Sequence, residues 1–198
     1  MSINFTRLDP KKLSSWISEV REGPGFFCTS LPGPWLQHYF KDNSELQTLI
    51  NKYKDVNSIY VSMGCFTDKN EGRIKSKAGQ FRSFWLDLDS HGGGKYSTPG
   101  DALDDLLMFI SETHLPSPTY IHQTGNGIHA FWVTDDSIET TEWLAISKDI
   151  RRIAEEYGLD IDGEVTTDAA RVLRIPFTKN FRNPSNPIDT FLIGVSNE

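Results

Sequence analysis

Residues 81–89, Phe81-Arg82-Ser83-Phe84-Trp85-Leu86-Asp87-Leu88-Asp89, form an apolar run that ends in two carboxylates separated by one leucine. On a β-strand, side chains two apart share a face, with Cα atoms roughly 6.5–7 Å apart. Two acids held side by side repel, and a cation between them removes the repulsion. A divalent metal in that position suits phosphoryl or nucleotidyl transfer, in which metal ions clamp the reacting oxygens. An Asp-X-Asp at a strand end is equally a solvated strand-to-loop transition, so the pair needs neighbours before it implies chemistry.

Two other segments offer such neighbours. Thr124-Gly125-Asn126-Gly127-Ile128-His129-Ala130-Phe131-Trp132 carries Asn-Gly, a hairpin turn signal, and Gly125 and Gly127 would let a phosphate or backbone approach closely. The Gly-X-Gly-X-X-Gly nucleotide fingerprint is absent. A histidine on an apolar strand is commonly a satisfied core residue, so His129 gains meaning only beside the acids. Farther on, Asp168 is followed by Arg171 and Arg174, a metal-type carboxylate next to guanidiniums suited to bidentate phosphate binding. The two arginines should alternate to opposite strand faces, sending one into a site. Asp160, Asp162 and Glu164 read as ordinary loop acids.

The elements that must position these groups follow from periodicity. Helices are predicted after Asp9-Pro10 (Leu13, Trp16, Ile17, Val20), from a Ser44/Gln47 capping box (Leu46, Leu49, Ile50, Tyr53) and from Thr98-Pro99 (Leu103, Leu106, Leu107, Ile110). A fourth spans 140–157, burying Trp143, Ile146, Ile150, Ile153 and Tyr157, with Gly158 ending it. Strands are expected at 57–66, 81–89, 118–124, 128–134, 171–176 and 188–194. Pro24, Pro32 and Pro34 with Gly23, Gly25 and Gly33 mark a loop after the first helix.

From Phe81 onward the order is strand, helix, strand, strand, helix, strand. That is an α+β, RNA-recognition-like (ferredoxin-like βαββαβ) core. Its spatial strand order, 4-1-3-2, would put the end of the first strand beside the starts of the third and fourth. Asp87 and Asp89, His129 and Asp168 would then meet at one sheet edge.

Bulk properties limit the function classes. The 198 residues, 37% hydrophobic and 24% charged, suit one domain: an N-terminal helical or αβ extension over 1–56 and a core over 57–195. No apolar run reaches the length of a membrane span, and the N-terminus lacks a signal-peptide core. Cys28 and Cys65 lack zinc-type spacing and read as reduced thiols of a cytoplasmic protein. A net charge of −7 opposes indiscriminate nucleic-acid binding. Local basic runs (Lys69, Arg73, Lys75, Lys77, Arg82; then Arg171, Arg174, Lys179, Arg182) temper that objection, although such runs are often plain solvated faces.

Three strings, Phe84-Trp85-Leu86-Asp87-Leu88-Asp89, then Thr124 to Trp132, then Asp168-Ala169-Ala170-Arg171-Val172-Leu173-Arg174-Ile175-Pro176-Phe177-Thr178-Lys179-Asn180, resemble in order the motifs of the archaeo-eukaryotic primase superfamily. The likeness is greatest to primase-polymerases of phages and plasmids, and the tail Asn180-Phe181-Arg182-Asn183-Pro184 continues it. The resemblance implies a nucleotidyltransferase, a DNA primase or DNA-directed polymerase. Asp87, Asp89 and Asp168 would hold two divalent ions, Mg²⁺ or Mn²⁺. His129 would contact the triphosphate, while Arg171, Arg174 and Lys179, with Gly125 and Gly127, would contribute nucleotide or template contacts. The implied partners are a single-stranded DNA template and primer, dNTP or NTP, and a helicase on another chain or segment, with no membrane. The sequence departs from the pattern at Gly127, where many members carry the serine of Ser-X-His. It departs again at Phe177, where glycine is usual.

Two other readings stay open. A replication-initiator nickase would need paired histidines and a tyrosine nucleophile; His122 and His129 are not adjacent as such a pair, and no tyrosine has an obvious helical placement near them. A non-catalytic single-strand-binding module would present aromatics such as Trp85, Phe131 and Trp132 for stacking. The Gly92-Gly93-Gly94-Lys95 segment could serve as a flap or as a plain surface loop.

Overall fold

The acidic strand is buried along nearly its whole length because helices cover one of its faces and a second sheet covers the other. The computed structural model describes residues 3–30, 35–90 and 94–197. In chain order it contains β1 (Ile3–Arg7), α1 (Leu13–Val20), β2 (Gly25–Ser30), β3 (Leu36–Phe40), α2 (Asn43–Tyr53), β4 (Ser58–Ser62) and β5 (Phe81–Asp89). Then come α3 (Pro99–Thr113), β6 (Tyr120–Gln123), β7 (Gly127–Ile138), α4 (Thr140–Tyr157) and the single-turn α5 (Gly163–Thr166). The chain finishes with β8 (Val172–Arg174), β9 (Lys179–Asn180), β10 (Ile188–Asp189) and β11 (Phe191–Asn197).

A five-stranded sheet runs β1-β11-β6-β7-β5, a four-stranded sheet β3-β2-β4-β8, and β9 pairs β10; every pairing is antiparallel. The α+β class holds, but the expected 4-1-3-2 order does not. β5 lies at the edge of its sheet with β7 as its ladder partner, and the strand after α4 joins β4 in the other sheet. After α4 the chain meets β5 again around α5: Trp85 Nε1 donates to Val165 O at 2.9 Å, and Asp162 N to Asp87 O at 2.9 Å. These contacts shield the β5 edge before the chain crosses to β4, so no fourth strand is needed there.

Alternation along β5 decides what faces the site. Leu86 and Leu88 enter the core formed with Ala102, Leu106, Phe109 and Ile110 of α3. Trp85 enters the other core, with Phe27 and Val61 of the second sheet and Trp16 of α1. Asp87 and Asp89 therefore continue the face that looks toward the second sheet. Fully burying each large apolar side chain contributes about 1.5–3 kcal/mol, so the strand is firmly held.

The first 56 residues are built into both sheets rather than forming a helical extension: β1 pairs β11 and β2 pairs β4. The Pro/Gly-rich stretch read as a loop contains β2, whose Phe26, Phe27 and Cys28 are buried; Pro32, Gly33 and Pro34 lie outside the described residues. The caps of α1 and α3 are as read, Asp9 beginning the turn before α1 and Thr98 forming a capping box with Asp101. α2 instead starts from Asp42, which accepts from Ser44 N and Glu45 N. α4 keeps its bounds and its Gly158 cap, while Ile146 is exposed. Among the described residues no helix is long and apolar enough to cross a membrane.

Candidate active site

The β5–β7 register sets Asp87 opposite His129 and Asp89 opposite Gly127. His129 Nε2 stands 3.5 Å from Asp87 Oδ1, an electrostatic contact longer than a good hydrogen bond. On the next strand His122 lies opposite His129, the rings 5.4 Å apart and edge-on. The two histidines are thus direct neighbours, contrary to the sequence reading. Burial pushes His129 down to about 3, with Arg174 and then Arg171 adding to the effect, and lowers His122 well below the usual range. Both rings are neutral at physiological pH, so the contact with Asp87 is not an ion pair.

Asp87 behaves in the opposite sense. Burial first, and then the neighbouring Asp89, raise its carboxyl to about 8; Asp162 adds to this, and Arg171 and Arg174 oppose it. An acid this unfavourable to ionise is what a hard cation would relieve. Carboxylate oxygens suit Mg²⁺ or Mn²⁺, which retain waters and take few protein ligands. Among the described residues no group of three His, Cys, Asp or Glu side chains is arranged as a ready-made metal set. The donor chemistry fits a divalent ion, with Asp87 and Asp89 as the carboxylates at hand.

Asp168 has partners elsewhere. Its Oδ1 accepts from Ala170 N at 3.0 Å and lies 3.4 Å from Lys75 Nζ, and the residue does not line the cavity. The acid that meets β5 is Asp162, whose amide bonds the Asp87 carbonyl and whose Oδ1 caps α5 through Glu164 N and Val165 N. The two acids are six positions apart, and Asp162 carried no local signal beyond being a loop acid.

A cavity of about 330 Å³ opens above the pair, with Asp87, Asp89 and His129 on one side and Arg171, Arg174 and Arg182 on the other. Both Arg171 and Arg174 take part because Arg171 precedes β8, so strand alternation does not separate them. Arg174 is nearly buried; its Nη2 donates to the Tyr60 hydroxyl at 2.9 Å, and its guanidinium lies 4.8 Å over the Tyr60 ring. Burial lowers its proton affinity. Arg174 Nη1 and Arg171 Nε are buried with no protein hydrogen-bond partner. Unpaired guanidinium N–H groups beside a cavity are costly unless an anion such as phosphate meets them.

Lys179 lies elsewhere, lining a separate cleft of about 280 Å³ with Arg7 and Asp189. Adjacent strand residues face opposite ways, so its neighbour Asn180 takes the cavity and donates from Nδ2 to Thr124 O at 2.9 Å. Gly125 and Gly127 do not line the cavity, but Asn126 between them does. A side chain at 127 would run into the Leu88 carbonyl and stand 3.0 Å from Asp89 Cα, so this glycine seats β7 against the acidic strand. Phe177 adopts φ +61°, the left-handed turn that glycine favours, so the turn survives the departure from the family pattern. The basic run at 69–77 is largely engaged internally: Lys75 with Asp168, Lys77 with Glu71, and Arg73 with the Ala170 carbonyl. Gly92 and Gly93 of the expected flap lie outside the described residues, and Lys95 is pinned to Asp105 and the Gly158 carbonyl.

Solved structures share this architecture. The primase-polymerase domain of cyanophage S-2L matches with a TM-score of 0.61 at 14% identity, over 97% of this chain and 91% of that one. The chain has the fold of an archaeo-eukaryotic primase-polymerase domain. Primase RepB′ matches this primase fold with a TM-score of 0.56 at 14% identity, over 92% of this chain and 55% of that one. No protein-family model matches, and neither does any curated protein sequence. Among the cavity residues, Tyr60 and Asn180 are candidates that sequence reasoning passed over, and Arg182 was noted only as part of a basic run. For Asn180 a signal existed in its strand alternation with Lys179, and for Arg182 in the basic run.

Proposed function

We propose that this chain is a template-directed nucleotidyltransferase, a DNA primase-polymerase that joins nucleoside triphosphates to a primer end or an initiating nucleotide. One observation carries the reading: the buried Asp87, the exposed Asp89 beside it and two arginines, each with a buried N–H that has no protein partner, line the same cavity of about 330 Å³. Acids for metal and guanidiniums for phosphate are the two halves of a phosphoryl-transfer site.

Asp87 and Asp89 would hold Mg²⁺ or Mn²⁺, with Asp162, outside the cavity lining like Asp168, adding its negative charge to the surroundings of Asp87. Bound there, the ions would activate the attacking hydroxyl oxygen and neutralise the leaving pyrophosphate. Arg171 and Arg174 orient the triphosphate, their unpaired N–H groups meeting its oxygens. His129 supports Asp87 from the neighbouring strand and lines the cavity in which the triphosphate would sit. The surrounding protein excludes water around Asp87, which strengthens each of these electrostatic contacts. Template and primer DNA, with a helicase on another chain, complete the partner set of a phage or plasmid replication protein. The test is primer–template incorporation in Mn²⁺ or Mg²⁺: the nucleotide added follows the template base and incorporation stops in EDTA. Untemplated or EDTA-resistant incorporation would contradict the proposal.

A replication-initiator nickase is a second reading, favoured by the His122–His129 juxtaposition and by Tyr60 at the cavity. Against it, His122 is fully buried and does not line the cavity. A detergent-stable protein–DNA adduct would establish it. The binding-module reading loses its aromatics, since Trp85 and Phe131 are core residues and Trp132 Nε1 is bonded to the Pro116 carbonyl.

A further inference from the structure

An aromatic surface beside the cavity is not explained by triphosphate chemistry. Trp35, immediately before β3, is 44% exposed, whereas Trp16, Trp85 and Trp143 are at most 1% exposed and Trp132 is half-buried. The Trp35 ring lies 5.3 Å from that of Tyr60, tilted by 39°. Tyr60 lines the cavity and carries the Arg174 guanidinium over its ring. Trp35, Tyr60 and Arg174 thus form a file of planar groups leading from solvent to the cavity that contains the acids.

An indole left open to water beside a cationic cavity matches the chemistry of a single nucleic-acid strand, whose bases stack on aromatic rings while its phosphates meet guanidiniums. Trp35 lies outside the cavity lining. A base on its exposed face would therefore lie outside the cavity in which the triphosphate meets Arg171 and Arg174. We infer that Trp35 is a stacking platform for a base of the single-stranded template as it approaches the acidic pair. The identification of that strand as a template rests on the nucleotidyl-transfer reading; the stacking itself does not.

The inference is tested by titrating the protein in EDTA with a short oligothymidylate, following tryptophan emission and, separately, the anisotropy of a labelled oligonucleotide. Thymidine triphosphate alone serves as the comparison probe. The oligonucleotide should quench the exposed-indole emission and the triphosphate should not. Trp35→Ala should bind the oligonucleotide about tenfold more weakly, as expected for the loss of one stacked base, while Trp35→Phe keeps most of the affinity. Equal affinity of wild type and Trp35→Ala would overturn the platform, as would quenching by the triphosphate alone. Should Trp35→Ala fail to fold, the wild-type quench and the Trp35→Phe affinity still decide. Quenching without templated incorporation would keep the platform and overturn the enzyme reading; incorporation without a Trp35 effect would do the reverse.

Discussion

The amide of Asp162 donates to the carbonyl of Asp87 across 2.9 Å, tying the loop after α4 to the end of the acidic strand. That bond makes Asp162, and not Asp168, the acid that shares an environment with Asp87 and Asp89. Asp162→Asn should reduce metal-dependent incorporation about tenfold, since it removes a negative charge from the surroundings of Asp87. Asparagine still caps α5, so the variant should fold. Asp168→Asn removes only a contact with Lys75, whose side chain is largely exposed, and should leave incorporation within about threefold of wild type. Steady-state incorporation by the two variants checks the assignment, and the reverse ranking would make Asp168 the third acid that matters.

The pH dependence of the metal-free protein follows from Asp87. Its carboxyl is raised to about 8 in the folded state, against about 3.9 in an unfolded chain. A raised acid stabilises the fold below the unfolded value, and that contribution is lost as pH rises through the folded one. In EDTA, the melting temperature of Asp87→Asn should therefore gain on wild type progressively between pH 5 and pH 8.5. The gain should reach several degrees, at about 2–4 °C per kcal/mol for a chain of this size. Adding Mn²⁺ should restore wild type and leave the variant nearly unchanged. A temperature difference that stays flat with pH would show that Asp87 ionises normally.

Gly127→Ser would introduce the residue type that many primases of this superfamily carry before X-His. Here a Cβ at 127 meets the Leu88 carbonyl and crowds Asp89. Overpacking of this kind costs about 1–3 kcal/mol, so melting should fall by about 3–10 °C, with metal affinity reduced because Asp89 shifts. A variant with unchanged melting and Mn²⁺ affinity would mean that β7 can retreat from β5 without consequence.

Much of this arrangement was legible in local sequence. The Leu86/Leu88 alternation oriented Asp87 and Asp89, and the Thr124–Gly127 turn delivered His129 to its place opposite Asp87. The apolar stripes of α1 and α3 located the core. What was hidden depended on pairing between distant segments. β8 has three residues, too few to reveal that it would join β4, and that choice moved Arg171 and Arg174 onto the second sheet. The choice between Asp162 and Asp168 turned on a single helical turn between them. Proline and glycine punctuation concealed β2, and with it the sheet that carries Tyr60.

The most direct measurement is single-turnover primer extension by wild type and by Asp87→Asn/Asp89→Asn in Mn²⁺, with both proteins shown to be folded by melting. Wild type should add the nucleotide complementary to the template base, and the double variant should lose about a thousandfold or more of the rate, because the metal-holding charges are gone while the fold remains. Extension by the double variant at the wild-type rate would contradict metal-dependent nucleotidyl transfer at Asp87 and Asp89.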